Sequence, residues 1–503
     1  MPSIGEILER NAHRVPERTA LIYGDRRLSY QELDEQVNKT ARAIFQLDVE
    51  KGDRIALMAY NTDLFVIAYY ALLKLGAIVV PINVRLAPPE LAYQLQDSGA
   101  RMILYDDELT AVVMEATKGT PTTALCLHSH GETNLLGMSQ HQTSDPLPIM
   151  VEEDDDAQIL YTSGTTGKPK GVLFDHHRII WTGINITVGV GLRDGERLLH
   201  VAPLYHSAEL DLFLMAGTFI AGTHVVMKEF NPTEVLKTMD KEQITAFFGV
   251  PTMYQFMLRD PHLEQTHLGN WRIGMFGAAP MPPSTVVKLA EVFPSLTLFN
   301  LAGLTELGPG GVFLGGKELL EHPDTAGRPI INTEARVVGT DFQDVKEGEV
   351  GELILRGETL MKGYWNNPIA TAATMREGWL MTGDLATIDH EGRVIIIDRK
   401  KDMIITGGMN VYSVEVEYAI ITHPSVMDCA VIGVPHADYG ETVTAIVTLK
   451  PGAELDLEAL RAYCRPLIAD YKIPRRLILS TIPRNASGKV LKYKLREEYS
   501  SAQ

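Results

Sequence analysis

The stretch "YTSGTTGKPKG", Tyr161 to Gly171, sets three glycines and four Ser/Thr residues in eleven positions and adds Lys168 and Lys170. Glycine permits positive φ and close backbone approach, while hydroxyl, amide and ammonium groups donate hydrogen bonds, so the stretch reads as a phosphate cradle. It is not a Walker A loop. Only two residues separate Gly164 from Gly167, and Pro169 rather than Ser or Thr follows Lys168. An apolar run, Ala157 to Leu160, leads straight into the loop, as strands do in α/β phosphate sites. The bland alternative is a flexible Ser/Thr/Gly linker.

Upstream, "RIALMAY" from Arg54, "DLFVIAYYALLKLGA" and "IVVPIN" read as strand, helix and strand, the unit of a parallel sheet with crossover helices. "KGDRIALMAYN" near Lys51 and "RDGERLLHVAPLYH" near Arg193 share Gly, an acid, Arg and an apolar strand, which points to two related α/β lobes. After about residue 325 short alternating segments with glycine turns, such as "EGRVIIIDRK", indicate a small β-rich subdomain. From about Asp402 alternating helices and strands form a compact α+β domain. The expected fold class is therefore α/β: a large N-terminal domain, 1–400, of two lobes plus the β-rich subdomain, then a small C-terminal domain, 401–503. The acidic run Glu152 to Asp156 reads as a solvated connector.

At 503 residues the chain exceeds what one core usually supports, and 45% hydrophobic with 22% charged residues is ordinary globular composition. A net charge of −18 argues against nonspecific nucleic-acid or anionic-membrane binding, since both need a basic footprint. Cys126, Cys429 and Cys464 lack CxxC spacing, which suggests neither disulfide framework nor zinc site but reduced thiols and a cytoplasmic setting. The N-terminus carries charges where a signal peptide has an apolar core, and no apolar run reaches membrane-spanning length.

Read together, "LSYQEL", "KLGAIVVPIN", "YTSGTTGKPKG", "PLYH", "GLTE", "GYWNNP", "TGDL", "DRKKDMIITGGMNVY" and "PRNASGK" cover essentially the whole chain. In this order they resemble the adenylate-forming family of acyl-CoA synthetases, luciferase and peptide-synthetase adenylation domains. The character is nearest to bacterial fatty or aryl acyl-CoA ligases. The resemblance implies that ATP, Mg²⁺ and a carboxylic acid meet at one site, with coenzyme A as co-substrate. Joining two anions at the α-phosphorus requires charge screening and alignment, which amides, lysines and a metal supply.

By this likeness Thr162, Ser163, Gly164, Thr165, Thr166, Gly167 and Lys168 are the loop on the β and γ phosphates, with Thr166 near the α-phosphate and the metal. Glu306 is the Mg²⁺-associated carboxylate, a hard oxygen ligand suited to a cation that bridges phosphates. Gly277, Ala278 and Ala279 match the adenine-edge strand, and Ala302, Gly303 and Thr305 belong to the next nucleotide segment. Asp384 would accept from the ribose hydroxyls, beside Arg399. Lys489 would bridge the acyl carboxylate and α-phosphate in the first half-reaction. Lys401 takes the hinge position about which the mobile small domain swings, presenting Gly407 and Gly408 to the pantetheine arm for the second half-reaction. Tyr205 and His206 match the family's aromatic-His pair beside the acyl pocket, His206 being grouped with the catalytic set.

The chain departs from the pattern in three places. Ala302 stands where the family usually has an aromatic ring against adenine, a loss on the order of 1 kcal/mol of stacking. Ala278 replaces a common glycine. Glu209 occupies the glycine of the aromatic-His-x-x-Gly motif, with Asp211 two residues on. Carboxylates beside an apolar acyl chain are unfavourable unless paired. Glu209 and Asp211 therefore either face solvent or pair with a basic side chain, or one of them recognises a polar or cationic group on the acid.

The expected activity is an ATP-dependent carboxylic acid:CoA ligase that forms acyl-AMP and pyrophosphate, then a thioester and AMP. No side chain need be a covalent nucleophile. The alternatives are a stand-alone ligase acting on an amine or carrier-protein thiol, disfavoured in its modular form because no carrier segment follows residue 503, and a non-catalytic nucleotide- or acyl-binding homologue. The identity of the acid and a homodimeric state stay open.

Overall fold

The computed structural model describes residues 2–129, 134–162, 168–279, 281–484 and 490–500. Packing divides the chain into two compact units, one of residues 1–334 with 355–380 and one of 335–354 with 381–503. The expected 400/401 boundary thus falls inside the second unit. The cause is local: Asp398 accepts from both the N–H and the hydroxyl of Ser413, and Arg496 bonds Asp402. These contacts tie the chain before 400 to helices Ser413–Ile421 and Lys492–Ser500.

The first unit holds two sheets, and the two similar segments seen in the sequence each lie in one. Strand Arg54–Met58 is central to a seven-stranded sheet, and Arg197–His200 to a nine-stranded one. The first sheet is parallel through Asp156–Thr162, Ile78–Pro81, Arg54–Met58, Met102–Tyr105 and Thr123–Cys126, and the second through Thr297–Gly303, Ile273–Gly277, Ala246–Gly249, Arg197–His200, Thr223–Val226 and Thr19–Tyr23. Strands such as Ile78–Pro81 and Met102–Tyr105 are buried at every residue, the continuous apolar reading of a sheet covered on both faces.

Helix Asp63–Lys74 is apolar all round and buried accordingly. It packs on Arg54–Met58 and Ile78–Pro81 of the seven-stranded sheet and on Thr19–Tyr23 of the other. Its adjacent Tyr69 and Tyr70 are 2% and 1% exposed, so each phenol needs an internal partner.

In the second unit the long hairpin Val426–His436 with Gly440–Leu449 takes Arg476–Leu479 as a parallel neighbour and helices Ser413–Ile421, Leu457–Cys464 and Lys492–Ser500, the α+β composition expected. The stretch after residue 325 contains strands Thr333–Val338, Gly351–Gly357, Trp379–Ile388 and Val394–Arg399, as its alternation predicts. Among the described residues no helix is long and apolar enough to cross a membrane, and the three cysteines are free and buried.

Candidate active site

Most motif residues of the first unit lie just beyond the C-terminal ends of parallel strands, where open α/β sheets place their ligands. Gly277 ends Ile273–Gly277 and is level with Leu301 on Thr297–Gly303. A Cβ on Gly277 would meet the Leu301 carbonyl oxygen at 2.7 Å, so close strand approach requires glycine there. Ala278 follows at φ 66°, a left-handed conformation that costs a residue with a Cβ about 1 kcal/mol, and Ala278 and Ala279 are exposed. Ala302 and Gly303 finish the neighbouring strand. These residues form a short open ledge rather than an aromatic wall.

Strand Asp156–Thr162 turns back as Lys170–Asp175, with Thr162 opposite Lys170. The strands that flank the phosphate loop therefore pair as a hairpin, and the chain runs on into a strand rather than a helix, unlike a P-loop. Ser163, Gly164, Thr165, Thr166 and Gly167 lie outside the described residues, as does Lys489. The loop's stem is held from helix Pro88–Ser98: Tyr161 donates to Asp97 at 2.7 Å and Tyr93 to the Pro169 carbonyl at 3.0 Å, while the Lys168 ammonium sits over the Tyr93 ring.

Glu306 occupies the turn Thr305–Leu307, and Tyr364 of "GYWNNP" donates its hydroxyl to Glu306 Oε1 at 2.9 Å. The Lys170 ammonium lies 3.9 Å from the centre of the Tyr364 ring. Burial, then the Glu306 carboxylate, raises the Tyr364 phenol pKa, so Tyr364 acts as a fixed donor. Among the described residues no three His, Cys, Asp or Glu side chains group as a metal cage. A lone carboxylate with one oxygen oriented by Tyr364 fits a Mg²⁺ held mostly by phosphate oxygens and water. Tyr364→Phe is expected to raise the Mg²⁺ concentration for half-maximal activity about 10-fold, the usual effect of losing a ligand's orienting partner, with the fold unchanged. A Mg²⁺ titration of pyrophosphate release measures it.

His206 is half-buried against the Tyr205 ring, with the two ring centres 4.8 Å apart. Its removal from water lowers the imidazole pKa to about 4, so it is neutral at pH 7, and Nε2 has no hydrogen-bond partner among the described residues. The next residue, Ser207, meets Thr305 hydroxyl to hydroxyl at 3.2 Å, joining this turn to the Glu306 turn. Burial pushes the Tyr205 phenol up to about 12.

Glu209 and Asp211 overturn the solvent-facing expectation, being 0% and 1% exposed. They lie on a π-helical segment, Ala208–Leu214, and reach different sheets: Glu209 bonds His200 Nδ1 at 2.6 Å, and Asp211 accepts from Gln158 Nε2 at 2.8 Å. Both carboxyls are sealed from solvent, and among the described residues Glu209 Oε2 and Asp211 Oδ2 have no hydrogen-bond partner. Alternating polarity in "AELDL" resembles an exposed strand or turn, and only the tertiary partners show otherwise.

Burial raises the Asp211 pKa from 3.8 to about 7, the Gln158 amide opposing the shift. Its folded-state value lies above the unfolded one, so the native protein holds this proton more tightly, and stability from this group is lost as pH rises from about 4 to about 7. Asp211→Asn, which keeps an acceptor for Gln158 and cannot ionise, is therefore expected to gain melting temperature over the parent through that window, with a constant gain above it. Paired thermal melts from pH 4 to 9 check this.

In the second unit Asp384 and Arg399 are cross-strand neighbours, Arg399 Nε lying 2.7 Å from Asp384 Oδ1, with Asp384 9% exposed. Arg399 thus orients the carboxylate assigned to the ribose. Lys401 is exposed in the following turn. Gly407 and Gly408, at φ 57° and 79°, are the two-residue turn of hairpin Ile404–Thr406 with Met409–Val411. Two successive positive φ values account for both glycines. Nothing within the unit crowds a Cβ on Gly408. The residues bordering the Lys489 loop, Arg484 and Val490, form a β-bridge.

Sequence reading missed the roles of Tyr364 and Asp97 and the partners of Glu209 and Asp211; it named Lys170 but not its place over the Tyr364 ring.

Residues 8–365 match the family of AMP-binding enzymes, and 415–489 match the AMP-binding enzyme C-terminal domain. The chain is 35% identical over 491 residues to a feruloyl-CoA synthase of Amycolatopsis sp, covering 97% of this chain and 98% of that one. It is 34% identical over 512 residues, 100% of this chain and 99% of the other, to the long-chain-fatty-acid–CoA ligase FadD13 of Mycobacterium tuberculosis. The solved o-succinylbenzoate coenzyme A synthetase (MenE) of Bacillus subtilis, in complex with ATP and magnesium ion, matches with a TM-score of 0.88 at 29% identity, over 97% of this chain and 98% of that one. The chain therefore belongs to the adenylate-forming superfamily of AMP-binding enzymes, among its AMP-forming acid–CoA ligases.

Proposed function

We propose that this ligase activates a fatty or aryl carboxylic acid rather than a cationic one, and works in the cytoplasm. The observation that carries the substrate class is the burial of Glu209 and Asp211: the two carboxyls that set this chain apart each bond through one oxygen, to His200 and Gln158, and offer no exposed surface to a cationic acid. The matched feruloyl and long-chain fatty acid ligases support the same class.

In the first half-reaction the acid's carboxylate attacks the α-phosphorus of ATP, and pyrophosphate leaves. Lys168, with Thr162 and Ser163 to Gly167, holds the β and γ phosphates; Gly277 to Ala279 and Ala302 to Gly303 border the adenine; Asp384, oriented by Arg399, takes the ribose hydroxyls. Glu306, with Thr166, would hold Mg²⁺, which screens the phosphate charge. Tyr364 fixes the Glu306 oxygen. Lys489 neutralises charge shared between the acid and the α-phosphate. His206, neutral beside Tyr205, borders the acyl carboxylate as a hydrogen-bonding group rather than a second cation.

In the second half-reaction the small domain turns about Lys401, Lys489 withdraws, and the thiol of CoA attacks the acyl carbon while AMP leaves. Gly407 and Gly408 would pass the pantetheine arm. The test is AMP formation with ATP, Mg²⁺ and CoA across fatty, aryl and cationic acids. CoA-dependent AMP release with fatty or aryl acids is expected; release only with cationic acids would overturn the substrate class. Pyrophosphate exchange without CoA-dependent turnover would instead assign an amine or carrier-thiol acceptor.

A further inference from the structure

Two chains of buried hydrogen bonds start from the adjacent tyrosines of helix Asp63–Lys74 and end on the π-helical turn. In the first, Tyr70 Oη meets Thr218 Oγ1 at 2.5 Å, Thr218 Oγ1 meets His224 Nε2 at 3.1 Å, His224 Nδ1 meets His200 Nε2 at 2.9 Å, and His200 Nδ1 meets Glu209 Oε1 at 2.6 Å. In the second, Tyr69 donates to Gln158 Oε1 at 2.9 Å and Gln158 Nε2 to Asp211 Oδ1 at 2.8 Å. None of these side chains is more than 2% exposed.

Donor counting orders the first chain. Thr218 donates to the Leu214 carbonyl, so its oxygen accepts from Tyr70 and from His224 Nε2–H. His224 Nδ1 is then an acceptor, His200 supplies Nε2–H, and the remaining proton lies between His200 Nδ1 and Glu209. Burial places it on the carboxyl, because it raises the Glu209 pKa and lowers that of His200. A neutral chain avoids the cost of an ion pair in an apolar interior.

The anchored turn is the one that begins at His206. Its carbonyl accepts from the N–H groups of both Glu209 and Leu210, and Ser207 reaches Thr305 beside Glu306. We propose that Glu209 and Asp211 are positioning residues for adenylation: hydrogen-bonded to strands of two sheets, they hold the 206–211 turn so that Ser207 fixes the Thr305–Glu306 segment where the cation is taken. This deepens the ligase reading above and rests on it. The two carboxyls act through the turn and do not touch the acid.

The test uses the full chain and separates the half-reactions: acid-dependent ATP–pyrophosphate exchange against Mg²⁺, and acyl transfer to CoA from preformed acyl-adenylate. Glu209→Ala and Asp211→Ala are expected to lower exchange and raise the Mg²⁺ midpoint about 10-fold, as loss of outer support for a ligand does, leaving acyl transfer near the parent rate. Glu209→Gln and Asp211→Asn, which keep a hydrogen-bonding group for His200 and for Gln158, should restore both. Should the alanine variants not fold, Ser207→Ala cuts the link to Thr305 with both buried chains intact and is expected to shift the Mg²⁺ midpoint in the same direction.

A parent-like Mg²⁺ midpoint in Ser207→Ala, or in folded alanine variants, would overturn the proposal. So would Glu209→Gln failing as badly as Glu209→Ala, which would mean that charge is needed, or a changed ranking of acids, which would mean substrate contact. Absence of acid-dependent exchange in the parent as well would instead strike at the ligase reading itself.

Discussion

Lys489→Ala is expected to lower acid-dependent pyrophosphate release by about 10²–10³-fold, the range for removing one preorganised charge-stabilising group, while transfer from preformed acyl-adenylate to CoA should largely survive. The asymmetry follows from what the ammonium does. Two anions approach in adenylation, and the charge gathered around the α-phosphorus exceeds that of either reactant, so a compact cation there stabilises the transition state more than the bound ATP. The apparent affinity for ATP should therefore change little. Thioester formation starts from a mixed anhydride without that convergence of charge. Lys489→Arg should rescue poorly, since a planar fork is a different shape from a point charge. Separate assays of the two half-reactions decide it: equal loss in both would make Lys489 a general structural requirement.

Glu306→Ala is expected to cost about 10²-fold in pyrophosphate release at low Mg²⁺, equivalent to about 2.7 kcal/mol, and to recover partly as Mg²⁺ rises. Tyr364 makes the interpretation sharper. In the alanine variant the buried phenol loses the acceptor it has at 2.9 Å, so some loss of stability accompanies the loss of cation binding. Glu306→Gln keeps an acceptor for Tyr364 and removes only the negative charge, so it should show the Mg²⁺ shift without the stability change. A Mg²⁺ titration and a thermal melt on both variants separate the two effects; a Mg²⁺ midpoint unmoved in either would remove Glu306 from the cation's reach.

The family motifs were legible because their chemistry is carried by residue type and spacing along a short run. In the structure Thr162 ends strand Asp156–Thr162 and Glu306 sits in the turn after Thr297–Gly303, while Asp384 lies within strand Trp379–Ile388. Gly407 and Gly408 were legible as glycines but for a different reason, since a two-residue turn with positive φ explains them directly. Tyr364 was quoted in a motif without a role, because nothing in "GYWNNP" says that the phenol meets a carboxylate 58 residues away in sequence.

Glu209 and Asp211 show the limit most clearly. Two carboxyls in a motif that usually has glycine signal a departure, yet their meaning depends on His200, His224, Thr218 and Tyr70 for one and on Gln158 and Tyr69 for the other. Those partners come from two helices, Asp63–Lys74 and Met215–Phe219, and from strands of two different sheets. Periodicity reports which face of an element is apolar, but not which polar atom of a distant strand will satisfy a buried one.

The sequence alone determined the α/β class and the two lobes, because apolar periodicity and loop composition are local properties of the chain, and its motifs, by their resemblance to the adenylate-forming family, pointed to the chemistry. Tertiary structure decided the rest: that the residues before 400 pack with the C-terminal helices, that Tyr364 orients Glu306, and that Glu209 and Asp211 are sealed inside the fold. Each of these depends on pairing between groups remote in sequence, where the cost of leaving a buried polar atom unbonded selects the partner.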